Sequence, residues 1–107
     1  LQRRALGLFC HRVEEFCLRL GHPVPAVGLC EARTRWGSCS SRSGIRLHWR
    51  LIHLPLGLID YVVAHEVAHL VEMNHSPRFW SVVESLYPDH VAARKALRQA
   101  APSLPNI

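Results

Sequence analysis

Residues 61–80, YVVAHEVAHLVEMNHSPRFW, place His65, Glu66, His69 and His75 inside an otherwise largely apolar run. A polar side chain loses free energy on leaving water unless it gains a partner. His65, Glu66, His69 and His75 are therefore either exposed on the edge of a helix or held by something that binds them. Residues four apart on a helix share a face, so His65 and His69 project together. This is the H-E-x-x-H arrangement, in which two imidazoles share one zinc ion. Glu66 stands one step round the helix, placed to accept a proton from an attacking water without filling the coordination shell.

A catalytic zinc usually takes three protein ligands and keeps one position open. The third ligand is expected downstream, where the chain turns back over the helix, and His75 fits. Asn74 suits the left-handed position that closes a helix. Ser76 and Pro77 form a helix start, with serine as N-cap and proline in the first turn. A bend capped at both ends can hold an imidazole still. Solvated histidines, or histidines hydrogen-bonded in a core, would explain His65 and His69 but not this placement of His75. The expectation is one Zn²⁺ on His65, His69 and His75, with Glu66 as general base.

Working outward, residues 56–73 carry the longest apolar-periodic segment and predict a helix of about five turns. A second helix is expected over 77–86, ending before Pro88, and a third over about 90–100, ending before Pro102. Upstream, Leu6, Phe9, Val13, Phe16, Cys17 and Leu20 recur at helical spacing over residues 2–20. Gly21, Pro23 and Pro25 stop that helix. From Val27 to Arg35 the pattern alternates, and WGSCSSRSG at 36–44 reads as a turn. Ile45, Leu47 and Trp49 alternate with Arg46, His48 and Arg50, so residues 45–53 predict the second strand of a hairpin. The order predicts an α+β fold. A small antiparallel sheet, the hairpin of about 27–53, packs on the 56–73 helix, with helices on either side in sequence.

A chain of 107 residues supports one core. Residues 1–107 are thus expected to be a single domain. The start at Leu1 followed by Arg3 and Arg4 reads as the interior of a longer polypeptide, of which this is a C-terminal part. Asp60, His65, Glu66 and His69 interrupt the longest apolar run, so no membrane span is expected. Cys10, Cys17, Cys30 and Cys39 form no C-x-x-C pair, and they read as small core residues of a reducing, cytoplasmic compartment. The formal charge is +5, and arginine supplies twelve of the thirteen basic residues. Their scatter favours a solvated surface over a dedicated nucleic-acid face.

RTRWGSCSSRSGIRLHWRLIHLP followed by DYVVAHEVAHLVEMNHSPRFW resembles the YgjP-like metallopeptidases, a family related to the SprT-like and WLM metalloproteases and to the minimal gluzincins. The resemblance covers roughly residues 33–98. It implies a zincin-like domain with His65, His69 and His75 as zinc ligands and Glu66 as general base. It also implies a sheet beside the active-site helix whose edge strand borders the cleft. Family members commonly carry L-N-W-R where this chain has Leu47, His48, Trp49 and Arg50.

Arg35 and Trp36 read as structural support, Trp36 as a core anchor and Arg35 as an ion-pair or carbonyl contact. Phe79 and Trp80 are expected to pack the following helix onto the zinc helix and fix the third ligand from behind. Glu72, Glu84 and Asp60 are candidates for a carboxylate behind the zinc imidazoles. His48, Arg78 and Tyr61 are candidates for the donor that steadies the transition state. The expected activity is that of a zinc metalloendopeptidase on peptide or unfolded protein, with extended chains adding to the sheet edge. Two alternatives are weighed. One is metal-dependent hydrolysis of a nucleotide phosphoanhydride, disfavoured by the missing glycine-rich phosphate loop and by three imidazoles where Mg²⁺ prefers carboxylates. The other is a DNA-associated protease or adaptor using weak nucleic-acid association through the basic surface.

Overall fold

The computed structural model describes residues 2–31 and 35–100. Four α-helices and a three-stranded sheet surround one core, in the order α1 (Gln2–Leu20), β1 (Val27–Cys30), β2 (Gly37–Ser40), β3 (Gly44–His48), α2 (Leu56–Ala68), α3 (Pro77–Leu86) and α4 (His90–Ala100). The fold is α+β.

α1 buries Ala5, Phe9, Val13, Phe16 and Cys17, a stripe at helical spacing. It ends where Gly21 adopts φ +67°. The Gly21 amide donates to the Leu18 carbonyl and that of His22 to the Cys17 carbonyl, the paired bonds of a Schellman cap.

The sheet order is β1-β3-β2. β2 and β3 form the expected antiparallel hairpin, with Gly37 opposite Leu47 and Ser40 opposite Gly44. The turn, however, occupies residues 41–43, and Gly37–Ser40 is a strand. Ser40 Oγ accepts from the Ser43 amide at 2.9 Å and closes the reversal, so the serines make the turn and W-G-S-C leads into it. β1 pairs parallel to β3, Val27 beside Ile45 and Cys30 beside His48, so the sheet is mixed where a wholly antiparallel one was expected. Residues 32–34 of the expected first strand lie outside the described residues. Gly44 (φ +75°) permits that junction, because a Cβ there would stand 2.2 Å from the Ala26 carbonyl oxygen. The same carbonyl accepts from the Ile45 amide at 2.9 Å.

β3 stops at His48, and residues 49–53 wind into a 3-10 turn that buries Leu51 instead of continuing as strand. α2 begins behind Pro55 and is buried from Leu58 onward except at Asp60. Its neighbours are α1, α3, α4 and the sheet, which is why its apolar residues run all round it. It ends at Ala68, five residues before the expected limit. The His69, Leu70 and Val71 amides donate to the Glu66, Val67 and Ala68 carbonyls, so the last turn tightens from i−4 to i−3 bonding. Its apolar residues continue the pattern but not the α-helix. α3 and α4 match the expected limits. Ser76 caps α3 by accepting from the Phe79 amide, with Pro77 in its first turn.

All four cysteines are free, and only Cys17 is fully buried. Among the described residues no helix is long and apolar enough to cross a membrane.

Candidate metal centre

His65 and Glu66 are the last polar pair on the buried helix, each 3% exposed. They lie on the stretch of α2 that packs among α1, α3, α4 and the sheet. His69 is the C-cap residue of α2 and half-buried. His75 is exposed on the bend before α3. The i, i+4 spacing and the capped reversal bring one ring nitrogen from each of the three imidazoles within 4.8 Å of the others.

The individual contacts fit a cation. His69 Nε2 and His75 Nε2 stand 3.1 Å apart. Two nitrogens about 2.1 Å from a common tetrahedral centre are separated by about 3.4 Å. His69 Nδ1 lies 3.3 Å from the Glu72 carbonyl, a contact that makes Nδ1 the protonated nitrogen and leaves the Nε2 lone pair toward His75. Both His65 nitrogens are buried with no hydrogen-bond partner. A metal ion shared with the other two rings would account for one of them, and Nδ1 stands 3.4 Å from a Glu66 carboxylate oxygen. Burial first, then the charges of His75 and Arg94, hold the His65 imidazole down to about 3, so the ring is neutral and its lone pair is available.

Phe79 backs all three rings, with its centroid 5.0 Å from His65, 4.5 Å from His69 and 4.8 Å from His75. Trp80 lies 5.9 Å from His65 and 6.0 Å from His75. Its ring also stacks on His90 and carries the Arg94 guanidinium 5.2 Å from its centroid. The amide of Phe79 donates to the Ser76 cap, so the contact that starts α3 also sets the wall behind His75.

Glu66 faces an open cleft of about 260 Å³ with His65, His69 and His75. One wall is the edge strand β2 with Arg35 before it, and Met73, between His69 and His75 in sequence, also lines the cleft. Gly37 makes the close approach possible, since a Cβ there would stand 3.1 Å from Glu66 Cγ. Burial pushes the Glu66 carboxyl up to about 7, against the opposing pull of His69, His75 and Arg35. The Cys39 thiol, on the same wall, is pushed up to about 11 by burial and then by Glu66 and Cys17.

Several sequence-predicted residues stand elsewhere. His48, Tyr61 and Arg78 do not line the cleft. His48 is buried against Trp36, and its Nδ1 accepts from the Arg50 amide, capping the 3-10 turn. Tyr61 is fully buried inside α2's packing, its ring 6.2 Å from His65. Arg78 extends into solvent with Nε 3.9 Å from a Glu72 carboxylate oxygen. Among the carboxylate candidates, Asp60 is bound by Arg12 through contacts of 2.7 and 3.1 Å. Glu84 is exposed on α3, and Glu72 serves His69 through its backbone carbonyl. Trp36 is the buried anchor expected of it. Arg35, expected as structural support, is exposed and lines the cleft. The cleft roles of Arg35, Gly37, Ser38, Cys39 and Met73 were missed from the residues alone, and the signal was the edge-strand position implied by the family resemblance.

A mixed-sheet α+β domain with three imidazoles gathered beside a buried carboxyl is the plan of a metallopeptidase. The family model for the YgjP-like metallopeptidase domain matches residues 1–100, and the chain belongs to that family. Its fold is similar to the crystal structure of the metallopeptidase zymogen abylysin from Pyrococcus abyssi. The TM-score is 0.79, with 22% identity, 88% of this chain and 95% of that one covered. No curated protein matches the chain.

Proposed function

We propose that this metallopeptidase is a zinc-dependent endopeptidase of the zincin type, with one zinc ion held by His65, His69 and His75 and with Glu66 as general base. The observation that carries this reading is the convergence of three imidazole nitrogens within 4.8 Å, beside a carboxyl group pushed up to about 7. Three imidazole nitrogen donors suit zinc better than Mg²⁺ or Ca²⁺, which favour oxygen. Bound there, the ion supplies Lewis acidity toward a water and a peptide carbonyl.

The chain's own residues do the rest. Glu66 accepts the proton of the attacking water at a carboxylate oxygen and returns it to the departing amine. A carboxyl group near neutrality can hold and release that proton with little bias either way. The Glu72 carbonyl fixes the His69 tautomer, and Phe79 excludes water behind the rings. An extended peptide lies along β2, whose outer backbone groups face away from β3. The open cleft is smaller than the roughly 300–1,000 Å³ of enclosed small-molecule pockets, which suits a groove for a polymer better than a nucleotide site. Arginines that the sequence left as a free basic surface are partly engaged within the chain: Arg12 with Asp60, Arg19 with the Ser85 carbonyl, Arg94 over Trp80. That weakens the nucleic-acid alternative. A cytoplasmic setting remains our reading of the free cysteines.

The test compares the parent with Glu66→Gln. Both are expected to bind one zinc per chain, measured by elemental analysis, and the variant to cleave an unstructured protein about 10² to 10⁴ times more slowly. Equal turnover would remove Glu66 from the role. Phosphate release from nucleotides by a parent that leaves peptides intact would replace the reading altogether.

A further inference from the structure

The cleft is chemically lopsided, and one residue makes it so. Among the described residues, Arg35 is the single arginine or lysine that lines it. It stands two residues before β2 on the wall that Gly37, Ser38 and Cys39 also line, and a Cβ at Gly37 would stand 3.1 Å from Glu66 Cγ. Gly37 has no side chain and Ser38 and Cys39 short ones, so Arg35 is the long group of that wall. Its residue is exposed, and among the described residues no carboxylate forms an ion pair with it. Among the described residues the only acid lining the cleft is Glu66, which is buried and 3.4 Å from His65. A guanidinium is charged at every working pH and offers a planar fork of donors that matches a carboxylate. Met73, also lining the cleft, contributes a half-exposed thioether with no charge.

Resting on the peptidase reading above, we infer that Arg35 selects substrate: it binds an aspartate or glutamate side chain of the peptide, close to the bond that is cut. Arg35 is then a specificity-determining residue, and the enzyme discriminates among unfolded chains by charge.

The experiment offers the zinc-loaded protein a mixture of unstructured peptides, locates cuts by mass spectrometry, and measures kcat/KM on a peptide pair differing by Asp or Arg at the enriched position. The parent is expected to enrich acidic residues at one position flanking the cut and to prefer the Asp peptide about tenfold or more. Arg35→Glu is expected to invert that order, Arg35→Lys to keep it with a smaller ratio, and Arg35→Gln to flatten it. All variants must retain zinc and the parent's circular dichroism; if Arg35→Glu does not fold, the Gln and Lys variants decide. Cleavage by the parent with no preference for charge, or the same preference in parent and variants, overturns the assignment and leaves the peptidase reading standing. A parent that cuts no peptide overturns both.

Discussion

Glu66 and His65 are neighbours pushed in opposite directions by one cause. Burial disfavours the charged form of each, raising the carboxyl and lowering the imidazole. In metal-free protein the folded chain holds the Glu66 proton more tightly than the unfolded chain does. Its contribution to stability is thus full below about pH 4.5 and is lost as pH rises through about 7. For His65 the folded chain holds the proton less tightly, so its contribution is full above about pH 6.5 and is lost as pH falls toward about 3. Chelator-treated Glu66→Gln is therefore expected to melt above the parent near pH 8, by an amount of order 1 to 3 kcal/mol, with the gap shrinking toward pH 4. Thermal melts at both pH values check this, and a gap independent of pH would contradict it. For the third proposed ligand, His75→Ala should weaken zinc binding as severely as His65→Ala, read by competition with a chromogenic chelator.

Among the elements, the edge strand and the bend each carry one sensitive position. Gly37→Ala would set a Cβ 3.1 Å from Glu66 Cγ, from Leu47 Cδ2 and from the Arg46 carbonyl oxygen. Something must move, and Glu66 and β2 both border the cleft. We expect turnover to fall at least tenfold while zinc stoichiometry is kept; unchanged turnover would show that the strand yields freely. Ser76→Ala removes the cap of α3 and should cost about 1 kcal/mol of stability, together with a measurable loss of zinc affinity through the neighbouring His75. These elements also show what was readable in advance. The limits of α1, α3 and α4, and the meeting of His65 with His69 and His75, follow from local rules: helical spacing, a Schellman glycine, a Ser-Pro start. The end of α2 was misread because apolar periodicity survives a change from i−4 to i−3 bonding. The parallel pairing of β1 depends on Ala26 meeting Gly44, a contact across the chain that no local pattern announces. Asp60 read as a candidate carboxylate behind the zinc imidazoles because its partner Arg12 is 48 residues away in sequence.

Across the whole molecule, the Arg12–Asp60 pair ties α1 to α2, the helix that carries His65 and Glu66. It is two-pronged and mostly shielded, with 19% and 14% of the side chains exposed. Breaking it leaves a carboxylate half-desolvated, so Arg12→Ala should cost about 2 kcal/mol in denaturant melts, with m unchanged. A loss within error would mean that solvent replaces the pair without penalty. The donors themselves are graded by depth, from buried His65 through His69 to exposed His75. An ion seated there meets bulk solution on its His75 side, behind which Ser76 anchors the next helix. Exchange of such an ion with chelators would then depend on how often that anchor slips. The peptidase would tune its hold on metal through a single serine hydroxyl.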